Sequence, residues 1–470
     1  MNTTLFIKDI KLLLRDLKFQ IFFMILVVLF ILSAISSSVT YNAFKEEYQN
    51  QLNTHQNQVN DESQLILRDM LSGGYHIAVT DVPSPALLFS TFEHYPNRLT
   101  NNVSFYSPAF GRHGATSTEV FRLNWNFILG ILMGFILLVL SFEAVSGEKR
   151  AGTLRLLSIY GFKRQAVLWS KYLSYMLLYL IIIIPPSLIS MILFFALTGT
   201  WQVSYMLSFL LIILLSIPFA SFFVLVGMFI SMAKNYRNAI VMVVFVWLLF
   251  VIIIPQSANI FGKLISPIKT STEYRQRSRD AWVAEWEWWN NEYGSSVGGN
   301  GSLHDGLRAR AVYASDEKRN VVEQQELDDF RRQLRSIQMI ASISPFTQFE
   351  RIAEIVFDKG HYLFEFLEES MRTTVSQVKN LIIEQDRRDE TSLNLFYSWA
   401  STDRFAVRDG MTTFSAERFE HPNLLFVNDI TTDDTISKTM KIMLRLLPIL
   451  VLNLLLMIGA VVRLERLDIR

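Results

Sequence analysis

Residues 141–172 read SFEAVSGEKRAGTLRLLSIYGFKRQAVLWSKY, a charged island between two apolar runs. FILGILMGFILLVLSF (127–142) precedes it and YLSYMLLYLIIIIPPSLISMILFFAL (172–197) follows it, and each is apolar enough to cross a bilayer. The island carries Glu143, Glu148, Lys149, Arg150, Arg155, Lys163, Arg164 and Lys171. Charge at that density belongs in water, and the excess of Lys and Arg marks that water as cytoplasmic.

The rest of the chain agrees with a membrane setting. Its 470 residues are 51% hydrophobic and 13% aromatic, with a mean hydropathy of +0.27, a composition of polytopic membrane proteins rather than soluble ones. The net charge of +1 gives no sign of a nucleic-acid partner. The absence of cysteine excludes disulfides, thiolate metal sites and cysteine nucleophiles. The predicted fold class is therefore mostly α: six transmembrane helices, an amphipathic N-terminal helix, and a mixed, largely helical extracytoplasmic domain.

At the N-terminus, Phe6, Ile10, Leu13, Leu14 and Leu17 fall on one helical face, with Lys8, Lys11 and Arg15 largely off it, the pattern of a helix lying on a membrane surface. The first span follows from about Phe19 to Val39; its length and the Met at position 1 favour an anchor over a cleaved signal. Residues 1–40 thus form one unit and 41–123 a first extracytoplasmic insertion. Spans two to five occupy 124–255, with the island at 143–171 as the inner loop between spans two and three. The second span contains Gly130 and Gly134 at GxxxG spacing, which lets helices approach closely. Pro185 and Pro186 are expected to kink the third span, and the fifth is expected to end at Pro255. Residues 256–437 form a second, larger insertion whose first two thirds read as helices. The sixth span lies in 438–470, with Lys441 and Arg445 snorkelling outward from its first turns. Charge supports this topology: the proposed inner segments hold 15 Lys and Arg against 6 acids, and the remainder 29 against 37.

No GxxxxGK[ST], HExxH or GxSxG occurs, so ATP binding by a phosphate loop, zinc proteolysis and serine hydrolysis lack their signatures. No acid lies in the middle of a proposed span, which argues against a carrier relaying protons through buried carboxylates.

Against that background, FEAVSGEKRAGTLRLLSIYGFKRQAVLWSKYL resembles the segment of ABC-2 type transporter permeases that forms a coupling helix against a separate ATPase subunit. The matching positions are Glu143, Glu148, Arg150, Gly152, Thr153, Leu154, Leu157, Ser158, Arg164 and Lys171; the family's usual proline after the serine is replaced by Ile159, Tyr160 and Gly161. The resemblance implies a permease exporting or extruding a substrate, with no catalytic residue, metal or cofactor of its own. ATP and Mg would sit on two copies of a cytoplasmic ABC ATPase subunit. A second permease, identical or homologous, would complete the transporter in the lipid of a bacterial inner membrane, with both termini cytoplasmic and an extracytoplasmic partner for the insertions. In this reading Thr153, Leu154 and Leu157 fill a partner's groove while the island's charges fix register. The bland alternative is a solvated loop obeying the positive-inside rule alone. The large insertions, and VPSPALLFSTFEHYPN (82–97) in the first, resemble a bacterial subgroup with extensive periplasmic regions.

Two rival functions are a non-transporting membrane scaffold or mechanotransmitter engaging an envelope partner, and a membrane-bound enzyme with its site in 256–437, for which no constellation speaks. All seven histidines (His55, His76, His94, His113, His304, His361, His421) fall in the proposed outer regions without tight ligand spacing. Trp282, Trp286 and Trp289 share a helical face beside Trp288, read as packing or membrane-interface seating before any aromatic or sugar-like ligand.

Overall fold

The computed structural model describes residues 3–62, 75–80, 83–90, 98–103, 123–160, 162–233, 236–293, 305–388, 407–408, 411–412 and 435–466. Among these, six helical stretches are long and apolar enough to cross a membrane: Leu17–Asn50, Asn126–Arg150, Arg164–Thr198, Val203–Ser231, Asn238–Ile265 and Thr435–Glu465.

The amphipathic α1 (Thr3–Arg15) stops at Asp16, whose Oδ1 accepts the Lys18 backbone N–H at 3.0 Å and so caps the next helix. That helix, α2 (Leu17–Glu62), carries the first span without interruption into the first insertion. There β1 (Tyr75–Thr80) and β2 (Arg98–Val103) form an antiparallel pair, Tyr75 opposite Val103, flanking a short 3-10 turn at Pro85–Leu88. The second span opens as a π-helical segment, Asn126–Leu132, and continues as α3 (Met133–Ser141). The island holds two short helices, α4 (Ser146–Arg150) and α5 (Thr153–Ile159). Spans three and four are α6 (Arg164–Thr198) and α7 (Val203–Ser231). The third stays an unbroken helix through Pro185 and Pro186.

The helix of the fifth span does not stop at Pro255. It runs as α8 (Tyr236–Leu248), a π segment (Leu249–Ile253) and α9 (Ile254–Ile265). Pro255 lies at the join of the π segment and α9, where its fixed φ suits a helix, and the Phe250 carbonyl in the preceding turn accepts from the Ser344 hydroxyl. The second insertion then builds α10 (Ser271–Tyr293), α11 (Asp305–Ala341), α12 (Pro345–Phe357) and α13 (Gly360–Arg388), with a two-residue strand pair, β3 (Val407–Arg408) and β4 (Met411–Thr412), before α14 (Thr435–Glu465) makes the sixth span. The rest of 390–434, expected to be loop-rich, lies outside the described residues. A hydrogen bond from Arg277 on α10 to Gln325 (3.1 Å) and one between Ser266, just past α9, and Ser336 (2.8 Å) lay α11 back antiparallel along α10 and the end of α9.

Helix α7 is the hub, packing on α3, α6, α8, α12 and α14. The second and fourth spans are the most enclosed, the fifth and sixth the least. One end of the bundle collects α1, the island and the tail of α14. The other collects the insertions, and there the core differs from the sequence expectation. Helix α12 does not sit in a separate outer domain; it enters the bundle antiparallel to α7. Phe349 stacks on Phe219 (5.2 Å between centroids) and Phe357 lies 5.0 Å from Phe209, ten residues earlier on α7. Phe89, from the turn in the first insertion, wedges against both Phe349 and Phe357. Phe209 in turn meets Trp125 at 5.1 Å, and Trp125 meets Phe30 of the first span. The buried part of the 82–97 stretch, residues 84–90, is thus an anchor for the insertions; residue 82 and residues 91–97 lie outside the described residues.

The two glycines of the second span serve this packing. A Cβ on Gly130 would lie 2.4 Å from the Phe346 ring, and one on Gly134 3.0 Å from the Phe223 ring. Both act as ring seats within one chain. Lys441 and Arg445 do not reach freely into water. Lys441 lies over the Tyr362 ring at 5.0 Å, Lys438 bonds Asp358 at 2.7 Å, and Arg445 faces Glu354 and Glu365. The corner between α12 and α13 therefore supplies partners that the sequence pattern did not reveal.

Candidate coupling site

The island is fastened to three helices. The backbone N–H groups of Val145 and Ser146 both donate to Ser231 Oγ, at 2.7 and 2.9 Å, tying the loop to the end of α7. Glu143 pairs with Lys18 at the start of α2 (2.9 Å) and stands 3.8 Å from Arg150. Arg164 donates to the carbonyls of Leu464 (3.0 Å) and Glu465 (2.8 Å), satisfying acceptors left free at the end of α14. At the same end Arg463 lies 4.5 Å over the Phe229 ring.

The centre of the site is Glu148. Its carboxylate takes a hydrogen bond from the Thr153 hydroxyl, which also donates to the Glu148 carbonyl at 3.2 Å, so α4 and α5 are clasped across their junction. Lys171 on α6 donates to Glu148 Oε1 at 3.0 Å. Lys171 also stands 3.7 Å from Asp9 Oδ1 on α1, and Ser170 Oγ donates to Asp9 Oδ2 at 3.3 Å. All three charged side chains are buried or nearly so. Burial is the largest influence on Asp9 and pushes its carboxyl above the ordinary value, against the pull of Lys171. Gly152 joins the two short helices with φ +70° and open space where a Cβ would stand, so its left-handed backbone is the reason for glycine there.

This arrangement changes the roles expected from the sequence. Leu154 is buried in the chain's own core rather than open to a partner's groove, and Leu157 is half-buried against that core. The other side of α5 carries the free surface: Leu156 is 53% exposed, Ile159 71% and Tyr160 77%. Glu148, Arg164 and Lys171 are engaged inside the chain. The side chain of Ser158, and all of Gly161, lie outside the described residues.

Asp9 is the residue that sequence reading missed. It stands four residues from both Leu5 and Leu13, and Leu5 and Asp9 are the buried positions of α1, on the face toward α6. An acid inside a row of apolar residues was the available signal. Ile7 and Leu12 are instead exposed.

Of the seven histidines only His361 has a described side chain. It sits 3.4 Å from Glu365, with burial first, then Arg351 and Arg445, holding its pKa at about 3, so it stays a neutral imidazole. Among the described residues no group of three or more His, Cys, Asp or Glu could hold a metal. Trp282 and Trp286 stack at 5.5 Å and Trp289 stacks on Tyr293 at 5.2 Å, pairing along α10 itself.

Residues 3–352 match the family model described as ABC-2 family transporter protein. No curated protein and no solved structure matches the chain.

Proposed function

The chain belongs to the ABC-2 family of transporter proteins and is the membrane subunit of a transporter; on that premise we propose that it exports or extrudes a substrate using ATP hydrolysed by a separate ABC ATPase subunit docked on the island. The observation that carries this reading is the contrast within α5. Leu156 and Ile159, with Tyr160 just after them, face outward, while Glu148, Thr153 and Lys171 are joined by an ion pair and hydrogen bonds inside the chain. An apolar patch on a braced mount suits a surface that receives force.

Glu143, Glu148, Arg150, Gly152, Thr153, Leu154, Leu157 and Arg164 then form the coupling element, as mount rather than contact. A push on α5 passes through Glu148 and Lys171 to the third span and through Ser231 to the fourth. Two ATPase subunits, with ATP and Mg at their own sites, would act on two permeases in the inner membrane. Both termini would be cytoplasmic and the insertions would face outward, where α12, seated among the spans, would move with them. The test is purification of the tagged chain from its own membranes in mild detergent. A stoichiometric soluble subunit carrying a phosphate-binding loop supports the reading; its absence under every mild condition overturns it.

A further inference from the structure

A single lysine serves two carboxylates at the coupling site. Lys171 and Glu148 already form a complete pair at 3.0 Å, satisfied further by Thr153. Asp9 adds a second anion 3.7 Å from the same ammonium, with one more hydrogen bond from Ser170. Stability alone does not call for it. A buried carboxylate beside an already neutralised pair carries a desolvation cost that an apolar residue between Leu5 and Leu13 would avoid. The nearest further cation on α1, Lys8, is exposed.

What Asp9 gains is position. Helix α1 is joined to the first span by Asp16 alone, because α1 ends at Arg15 and α2 begins at Leu17. Whatever moves α1 therefore acts directly on the foot of α2, which is itself bonded to the island through Lys18 and Glu143. We propose that Asp9 is a positioning residue of the coupling site: through Lys171 it links α1, and with it the first span, to the island, so that one displacement of the island moves the first, third and fourth spans together. The coupling role rests on the reading that an ATPase subunit docks on α5; the link itself does not.

The natural chain has no cysteine, so nitroxide labels can be placed by Leu12→Cys and Ala151→Cys in the otherwise unaltered full chain in lipid nanodiscs. Double electron–electron resonance then reads the distance between α1 and the island. The native background gives one narrow distribution, Asp9→Asn broadens it, and Asp9→Glu restores it. An unchanged distribution in Asp9→Asn overturns the link.

With the co-purified ATPase subunit present, adding ATP shifts the distance between a label on α1 and one on the distal end of α7 in the native background. Asp9→Asn loses that shift while retaining the bound subunit. Loss of the subunit itself from Asp9→Asn would make Asp9 a docking contact and overturn the positioning role. If the native chain binds no ATPase subunit, the coupling role falls with the proposed function, and the first label pair still decides whether the link exists.

Discussion

Replacing Gly130 by alanine tests whether α12 is a structural member of the bundle. The added Cβ would stand 2.4 Å from Cε2 and 2.9 Å from Cδ2 of Phe346, roughly 1 Å short of an ordinary carbon–carbon contact. Phe346 is itself buried, and its neighbour Ser344 is bonded to the Phe250 carbonyl, so the ring cannot swing away without moving the start of α12. Overpacking of this kind costs about 1–3 kcal/mol. Gly134 is the internal control. Its Cβ would approach Phe223 at 3.0 to 3.3 Å, a strain of a few tenths of an ångström that the helix-favouring gain of about 0.5–1 kcal/mol from glycine to alanine roughly offsets. With the same gain set against the overpacking, unfolding of the purified chain in detergent, followed by tryptophan fluorescence, should show Gly130→Ala about 1 kcal/mol less stable and Gly134→Ala close to native. Adding Phe346→Leu to Gly130→Ala should recover most of the loss, although Phe346→Leu alone destabilises. Equal responses at the two glycines, or no recovery in the double variant, would refute the seating of Phe346 on the second span.

Glu354 gives a pH signature. Burial, the largest influence, raises its pKa to about 8 from an ordinary 4.5, against the pull of Arg351. Below about 4.5 both folded and unfolded chains hold the proton and its contribution is fully present. As pH rises toward 8 the unfolded chain releases the proton and the folded chain keeps it, so stability falls across that window, by at most roughly 5 kcal/mol. Apparent melting temperatures between those pH values should fall less steeply for Glu354→Gln than for the native chain, and parallel slopes would contradict the assignment. Gly152→Ala should cost about 1–2 kcal/mol from its left-handed φ alone, with Gly152→Asn milder; thermal unfolding that ranks both with the native chain would show that the junction between α4 and α5 adapts.

The spans were legible because length and hydropathy are local properties: six apolar runs and a basic island specify six helices without knowledge of their neighbours. What was not legible depended on distant partners. FTQFERIAEIVF reads as an amphipathic helix wherever it lies, and only the rings of Phe219 and Phe209 and the bare face of Gly130 make the interior of the bundle its place. Pro255 looked like a terminus because a proline after an apolar run usually is one; the π segment before it is not encoded by any simple periodicity. In α5, Leu154 and Leu157 lie three apart, and so do Leu156 and Ile159. Both pairs make an apolar face, and because Thr153, Arg155 and Ser158 fall between the two faces rather than on one of them, the pattern cannot say which one turns inward. The island's charges misled in a similar way. Glu148 and Lys171 are 23 residues apart, and Asp9 is farther still, so their mutual neutralisation appears only in three dimensions.

The central claim, that the outward side of α5 receives an ATPase subunit, is tested most directly by site-specific photocrosslinking in native membranes. A photoreactive phenylalanine replacing Ile159 or Tyr160 should capture a soluble subunit bearing a phosphate-binding loop, and the same group at Leu154 should capture only the chain's own helices. Capture of that subunit from Leu154 and not from Ile159 or Tyr160 would contradict the account.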